Sequence, residues 1–341
     1  MNKTVLSALS VAAFLGLGYG IVTAYSLLGE QFNNAKTDYL YIYPEDDMQT
    51  VERKIVEVAS PSCMVGFDLA TRALGIADRL KPGRYEVEPT MNMLTLLRNI
   101  RNHAQTPLNL IVPSVRTVQL MASRLSDGLM LDSAALATLL TDSAACAKLG
   151  YSRETVPALF IPNTYQVYWD ITAEQLLERM QKENAAFWTE ARQAKAKQLG
   201  MSREEVVTLA SIVDSETANN AEKPRIAGLY LNRLKANMLL QSDPTVIFAV
   251  GDFSIRRVLR KHLEVDSPYN TYKYKGLPPG PIRIPSVVGI DAVLNHETHN
   301  YLYMCAKEDF SGTHNFAATY AEHQQNARRY VRALNERGIK K

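Results

Sequence analysis

The chain has 341 residues, 46% hydrophobic and 21% charged, a globular composition with room for two or three domains and no bias toward disorder. Its net charge of +3 is too small and too dispersed to imply a nucleic-acid partner. Cys63, Cys146 and Cys305 are odd in number and far apart, which argues against a disulfide framework or metal-ligand spacing; they read as small buried hydrophobes.

The N-terminus is the compositional exception. Residues 4–29 carry no charge and include VLSALSVAAFLGLGYGIVTAYSLL, longer than the ~20 residues that span a bilayer core. A cleaved signal peptide has a shorter apolar run, ~7–15 residues, and a small-x-small site, for which Thr23-Ala24-Tyr25 is a poor match. The stretch is therefore read as an uncleaved transmembrane anchor in a lipid bilayer, residues 1–29 including a short cytoplasmic end. Lys3 and the terminal amine lie before it, Glu30 and Asp38 behind it, which favours a cytoplasmic N-terminus and an external body.

After a polar linker, 30–38, one pattern appears twice. YIYPEDDMQTVERKI (41–55) and YEVEPTMNMLTLLRNI (85–100) each read as strand, proline, then amphipathic helix, with Met, an aliphatic, Arg and Ile at offsets 4, 7, 9 and 11 from the proline. Looser copies are LNLIVPSVRTVQLMASRL (108–125) and TYQVYWDITAEQLLERM (164–180). Their irregular spacing argues against a solenoid, and the fold class expected is α+β, built of small strand–helix units. Residues 131–150 read as a helix closed by Gly150, and 172–199 as one long charged helix leading into Gly200. Ser202 and Glu205 form a capping box, so a helix starts near 203 and ends near 217–219. Asn219 and Glu222 offer a second such start, with Pro224 in the first turn of a helix to about Ala236. QSDPT, SPYNTY and KGLPPGPIRIPS read as turns, YLYMCA (301–306) as a strand, and 319–337 as a polar helix.

On the helix from 203, Val206, Leu209 and Val213 share a face by steps of three and four, and the next residue on that face is Glu216. An acid placed there, in the last turn at the negative end of the helix dipole, is disfavoured in its ionised form. A protonated Glu is then available as a general acid. Asp214 lies about 200° of helix away, so the two form no dyad, and it reads as solvated or capping. Gln241, Asp243, Asn270, Tyr272, His314 and Asn315 sit in expected loops; amides, hydroxyls and flat Tyr faces suit sugar binding. His296-Glu297-Thr298-His299 lacks the i, i+4 histidines of a zinc-protease helix and reads as a solvated helix end.

SIVDSETANNAEKPRIAGLYLNRL, LQSDPTVI, PYNTY, GLPPGPI and THNF stand in this order, and in that order the chain resembles the bacterial endolytic murein transglycosylase (YceG-like) family over nearly its whole length. The resemblance implies a membrane-anchored enzyme of the bacterial inner membrane, acting in the periplasm on nascent peptidoglycan glycan strands. It implies a LysM-like region at 39–112, ending near LKPGRYEVEPTM, and a catalytic domain at 113–341 with a helical connecting segment. The family's single catalytic Glu falls on Glu216, while Asp214 stands where members usually have Glu. One carboxylate suffices for a lytic transglycosylase, as acid and then base, so no metal or cofactor is implied; cell-wall synthases are candidate partners. Competing readings are a non-catalytic anchored peptidoglycan-binding or scaffold protein, and a hydrolase using Asp243 as a second carboxylate.

Overall fold

The computed structural model describes residues 3–338. Residues 1–2 of the expected cytoplasmic end, with the terminal amine, and residues 339–341 of the expected catalytic domain lie outside the described residues. Helix α1 (Lys3–Leu28) contains, at Leu9–Leu28, a run of mean hydropathy 1.7 that is long and apolar enough to cross a membrane. Most of its large side chains, Phe14 and Leu15 among them, are exposed.

The chain divides into two compact units, the first formed by Met1–Leu110, Gly128–Met130 and Gln166–Ile171, the second by Ile111–Asp127, Leu131–Tyr165 and Thr172–Lys341. In the first unit, β1 (Asp38–Ile42) is followed by α2 (Met48–Ala59), α3 (Phe67–Leu74), β2 (Gly83–Val87) and α4 (Met93–Arg101). β1 and β2 pair antiparallel with Leu40 opposite Tyr85. Alternate residues Leu40, Ile42, Tyr85 and Val87 point into the core, as the two-residue strand period requires.

The paired motif has a simple physical basis. Three residues after each proline stands an N-cap, Asp47 accepting from the Thr50 N–H and Asn92 from the Thr95 N–H, which starts the helix. The aliphatics at offsets 7 and 11, Val51 with Ile55 and Leu96 with Ile100, are buried, while Arg53 and Arg98 at offset 9 face solvent. The looser copies give β3 (Leu108–Ile111) before α5 (Val118–Ser126) and, after α6 (Ser133–Thr141) and α7 (Ser143–Lys148), β4 (Thr164–Val167) before α8 (Ala173–Phe187). β3 pairs with β4.

Two expected helices are broken. Asp142 ends α6 and caps α7 by accepting from the Ala145 N–H, dividing 131–150. The 172–199 stretch turns at Trp188, only 2% exposed, and Thr189 then caps α9 (Glu190–Leu199). Burying the indole fixes the turn that charge periodicity conceals. Of the cysteines, Cys146 is buried as expected, but Cys63 and Cys305 are only half-buried.

The second unit is organised around α10 (Arg203–Glu216), which carries the expected Ser202–Glu205 capping box. Eight consecutive residues, Val206 to Val213, are buried, so α10 is not an amphipathic surface helix with one apolar stripe. It is surrounded by α9, α11 (Lys223–Lys235), α12 (Asp243–Val250) and, beyond the short α13 (Arg260–Leu263), α14 (Val287–Leu294). Each buried aliphatic there contributes ~1.5–3 kcal/mol. The two hydroxyls this buries are satisfied: Thr208 donates to the Glu204 carbonyl at 2.7 Å, and Ser211 donates to the Thr208 carbonyl and accepts from the Ile282 N–H at 3.0 Å. A hairpin of β5 (Tyr303–Ala306) and β6 (His314–Ala317), then α15 (Tyr320–Glu336) with its Thr319–Glu322 capping box, complete the unit.

Candidate active site

Glu216 is the last residue of α10, where Thr217 goes extended and stops the helix. Side chains wire the turn that follows: Thr217 Oγ1 accepts from the Asn219 N–H and Asn219 Oδ1 from the Ala221 N–H, both at 3.0 Å. Asparagine suits such self-bonded turns, and this one directs the chain into α11, with Pro224 in its first turn. The expected Asn219–Glu222 capping box does not form. The Glu222 carboxylate instead accepts from the His314 backbone N–H at 2.7 Å and from His314 Nδ1–H at 3.0 Å. The two contacts hold the imidazole of His314 by its Nδ1 edge and leave its Nε2 edge away from Glu222.

Glu216 opens onto a cleft of about 300 Å³ in the second unit, walled by Tyr230 and Arg233 of α11, Gln241, Asp243, Tyr272, His314 and Met304–Ala306 of β5. As a residue Glu216 is half-buried, while its carboxyl is closely surrounded by protein. Tyr230 Oη donates to Glu216 Oε1 at 2.7 Å and Ser242 Oγ donates to the same oxygen at 2.5 Å. Among the described residues Oε2 receives no hydrogen bond, so it is the oxygen with room for an acidic proton. Burial pushes the Glu216 carboxyl above the ordinary carboxylate range; the two hydroxyl donors pull it down, Asp243 pushes it up and His314 draws it down. Burial is the largest of these effects and favours the neutral form. Burial, then the Glu216 charge, also raises the Tyr230 phenol well above its usual range, so Tyr230 remains a donor.

Ser242 reaches Glu216 through a tightly held turn. Gln241 adopts φ 52°, a left-handed conformation that side chains other than Gly tolerate poorly. Its N–H donates to the Thr271 carbonyl and the Ser242 N–H to Thr271 Oγ1, each at 3.0 Å. Arg233, 7% exposed, donates to the carbonyls of Leu302, Leu239 and Leu240 and to Gln241 Oε1.

The structure brings Glu216, Gln241, Asp243, Tyr272 and His314 into one cleft, and it does not bring Asn270 or Asn315 there. Asp243 lies in the first turn of α12, and His314 and Asn315 lie on β6, not in loops. Asp243 Oδ1 accepts from Tyr272 Oη at 2.6 Å; burial, then this bond, raises the Tyr272 phenol. Asn270 is fully buried, donates to the carbonyls of Leu263 and Val265 and accepts from the Tyr272 N–H, so it shapes the loop that carries Tyr272. Asn315 donates to Glu308 Oε2 at 2.6 Å. Asp214 is not solvated: its side chain is 5% exposed, 2.8 Å from Lys223 Nζ, and accepts from the N–H and Oγ of Ser286 at the start of α14. It ties α10 to two neighbouring helices and stands apart from the cleft lining. The 296–299 segment is a loop beyond α14, bonded to α11 by His299 Nε2–H to the Arg225 carbonyl and by Glu297 to Arg225.

Sequence reasoning missed Tyr230, Ser242, Glu222 and Arg233. For Arg233 a signal existed: Ile226, Leu229, Tyr230 and Arg233 continue one buried stripe of α11, the same interruption of an apolar face by a charge that singled out Glu216. Tyr230 and Ser242 approach Glu216 only through tertiary packing.

The fold and the site thus define a mixed helix-and-strand protein with an apolar N-terminal helix and a single enclosed glutamic acid facing an open polar cleft. The YceG-like family model matches residues 40–329, and the chain belongs to that family. It is 37% identical over 168 residues to a protein of Bacillus subtilis (strain 168) named endolytic murein transglycosylase, covering 49% of this chain and 46% of that one. A protein of the same name from Streptococcus pneumoniae (strain ATCC BAA-255 / R6) is 30% identical over 187 residues, covering 53% of this chain and 33% of its own length. The chain thus spans about half or less of the length of these relatives. A crystal structure of a YceG-like protein from Listeria monocytogenes superposes with a TM-score of 0.56 at 28% identity, covering 85% of this chain and 98% of that one.

Proposed function

We propose that the protein is a membrane-anchored endolytic lytic transglycosylase of peptidoglycan, with Glu216 as its acid and then its base. The observation that carries this reading is the state of Glu216: enclosed, raised by burial, with both donors on Oε1 and Oε2 left for a proton. In the first step Glu216 gives that proton to the glycosidic oxygen between N-acetylmuramic acid and N-acetylglucosamine as the bond to C1 breaks. The carboxylate, held by Tyr230 and Ser242, then takes the proton from the C6 hydroxyl of the same muramic acid as that oxygen closes on C1. The product is a 1,6-anhydro end and Glu216 is protonated again, so atoms and charge balance without added water. Gln241, Asp243, Tyr272 and His314 line the path of the strand as substrate-binding residues, and Asn270 supports it through Tyr272. Asn315, outside the lining, is at most an indirect support.

The names of the two relatives support the substrate class. The strand–helix–helix–strand order of β1, α2, α3 and β2, with its antiparallel pair, supports a LysM-like reading of 39–112. The apolar run Leu9–Leu28 supports a single-pass anchor in the inner membrane with a cytoplasmic N-terminus and a periplasmic catalytic region at 113–341. A second reading, hydrolysis with Asp243 as base, draws on its place in the same cleft. Mass spectrometry of ends released from purified glycan strands separates the two. The transglycosylase leaves anhydro ends, and ends heavier by one water would assign the reaction to Asp243-assisted hydrolysis.

A further inference from the structure

A second hollow of about 380 Å³ lies in the same unit, walled by Phe248, Phe253 and Tyr269 and bordered by Arg116, Arg153 and Arg283. None of these guanidinium groups has an ion-pair partner among the described residues, whereas Arg192 and Arg225 pair with Asp291 and Glu297. Arg116 lies over the Phe253 ring at 5.2 Å, and Arg283 Nε–H donates to Ser114 Oγ at 3.1 Å. Burial pushes the Arg283 group down, Asp214 opposes this, and the like charge of Arg116 adds to it. One carboxylate, Glu154, also borders the hollow, and it accepts from Ser152 Oγ at 2.8 Å without bridging to an arginine. Three guanidinium groups without a direct ion pair thus surround an aromatic floor, with Glu154 beside Arg153 as a partial counter-charge, and an anion with an aliphatic body can add charge-assisted hydrogen bonds there.

The hollow is joined to the catalytic cleft by α12. Asp243 faces the cleft and Phe248 the hollow, five residues or roughly 7–8 Å of helix rise apart. A smaller space of about 90 Å³ lies beside that helix, bounded by Ser215, Pro244 and Ile247 and sharing Arg116, Phe248 and Phe253 with the hollow. Ser215, which precedes Glu216 on α10, borders this smaller space, so α10 and α12 each present residues on both sides.

We propose that this hollow binds the peptide branch of a glycan strand lying in the cleft, its free carboxylates on Arg116, Arg153 and Arg283 and its aliphatic part against Phe248, Phe253 and Tyr269. The proposal rests on the peptidoglycan reading for the identity of the ligand, and its test does not require cleavage. The full-length protein in detergent is titrated calorimetrically with a soluble stem tripeptide containing D-glutamate and a diamino acid, with inorganic pyrophosphate as the competing anion. Saturable peptide binding is expected, unchanged in Glu216→Gln and weakened at least tenfold in Arg116→Gln/Arg153→Gln. Those two arginines are exposed, so the double variant should keep the fold, checked by circular dichroism. No peptide binding, binding that the double variant retains, or binding of pyrophosphate in place of peptide overturns the proposal. Continued anhydro-product release by Glu216→Gln would instead count against the catalytic assignment and leave this binding result standing.

Discussion

Replacing Ser242 by alanine removes one of the two donors to Glu216 Oε1 and leaves Tyr230 alone there. Both hydroxyls favour the carboxylate over the acid, opposing burial. A hydrogen bond to a charged group is worth about 1.5–3 kcal/mol. At about 1.4 kcal/mol per factor of ten, the ratio of ionised to neutral Glu216 falls roughly ten- to a hundredfold at a fixed pH. The acid form therefore persists to higher pH, and because the first step consumes that form, the alkaline limb of kcat moves to higher pH. The assay is kcat on soluble glycan across roughly pH 5 to 9, with circular dichroism to establish that the buried substitution folds. Tyr230→Phe moves the limb the same way, and the double variant moves it by other than the sum because both donors share one oxygen. A limb that stays in place, or moves to lower pH, refutes the reasoning.

Glu216→Gln is expected to raise stability at neutral pH. The folded-state value lies above the ordinary 4.5, so the wild-type contribution is fully present below about that pH and is lost as pH rises through the folded value. The melting curves should therefore converge in acid and separate toward neutral, each kcal/mol reading as ~2–4 °C in Tm; a gap that widens in acid contradicts the sign. Asp214→Ala leaves Lys223 buried without its partner and is expected to cost ~3–5 kcal/mol in denaturant melts. A loss below about 1 kcal/mol would fit an exposed pair instead. Gly228→Ala drives a methyl group into the Glu297 carbonyl oxygen and is expected to cost ~1–3 kcal/mol through overpacking; a neutral melt would mean that the 296–299 loop is not held against α11.

Periodicity made the ends of α10 legible, because a buried helix must keep apolar residues at its turns and a capping box must precede them. The same periodicity understated how deep α10 lies, since Thr208 and Ser211 read as polar although both are satisfied inside. Asp214 illustrates a limit of local reasoning. Its angular distance from Glu216 correctly separated the two acids, but the Lys223 and Ser286 partners come from other helices, and only the assembled core supplies them. The polar loops were legible as a group without being sorted: Asn270 and Tyr272 stand two residues apart, one pinning the backbone and the other facing the cleft. Ser242 left no local mark, because its role depends on the left-handed turn at Gln241. Trp188 likewise broke a helix for a tertiary reason that its flanking charges hide.

The most direct test of the central claim is the release of anhydro-muropeptides from sacculi by the wild-type protein and by Glu216→Gln, followed by mass spectrometry. Abundant 1,6-anhydro ends are expected from the wild type and none above background from a folded Glu216→Gln protein. Undiminished anhydro-product release by that variant would contradict the claim.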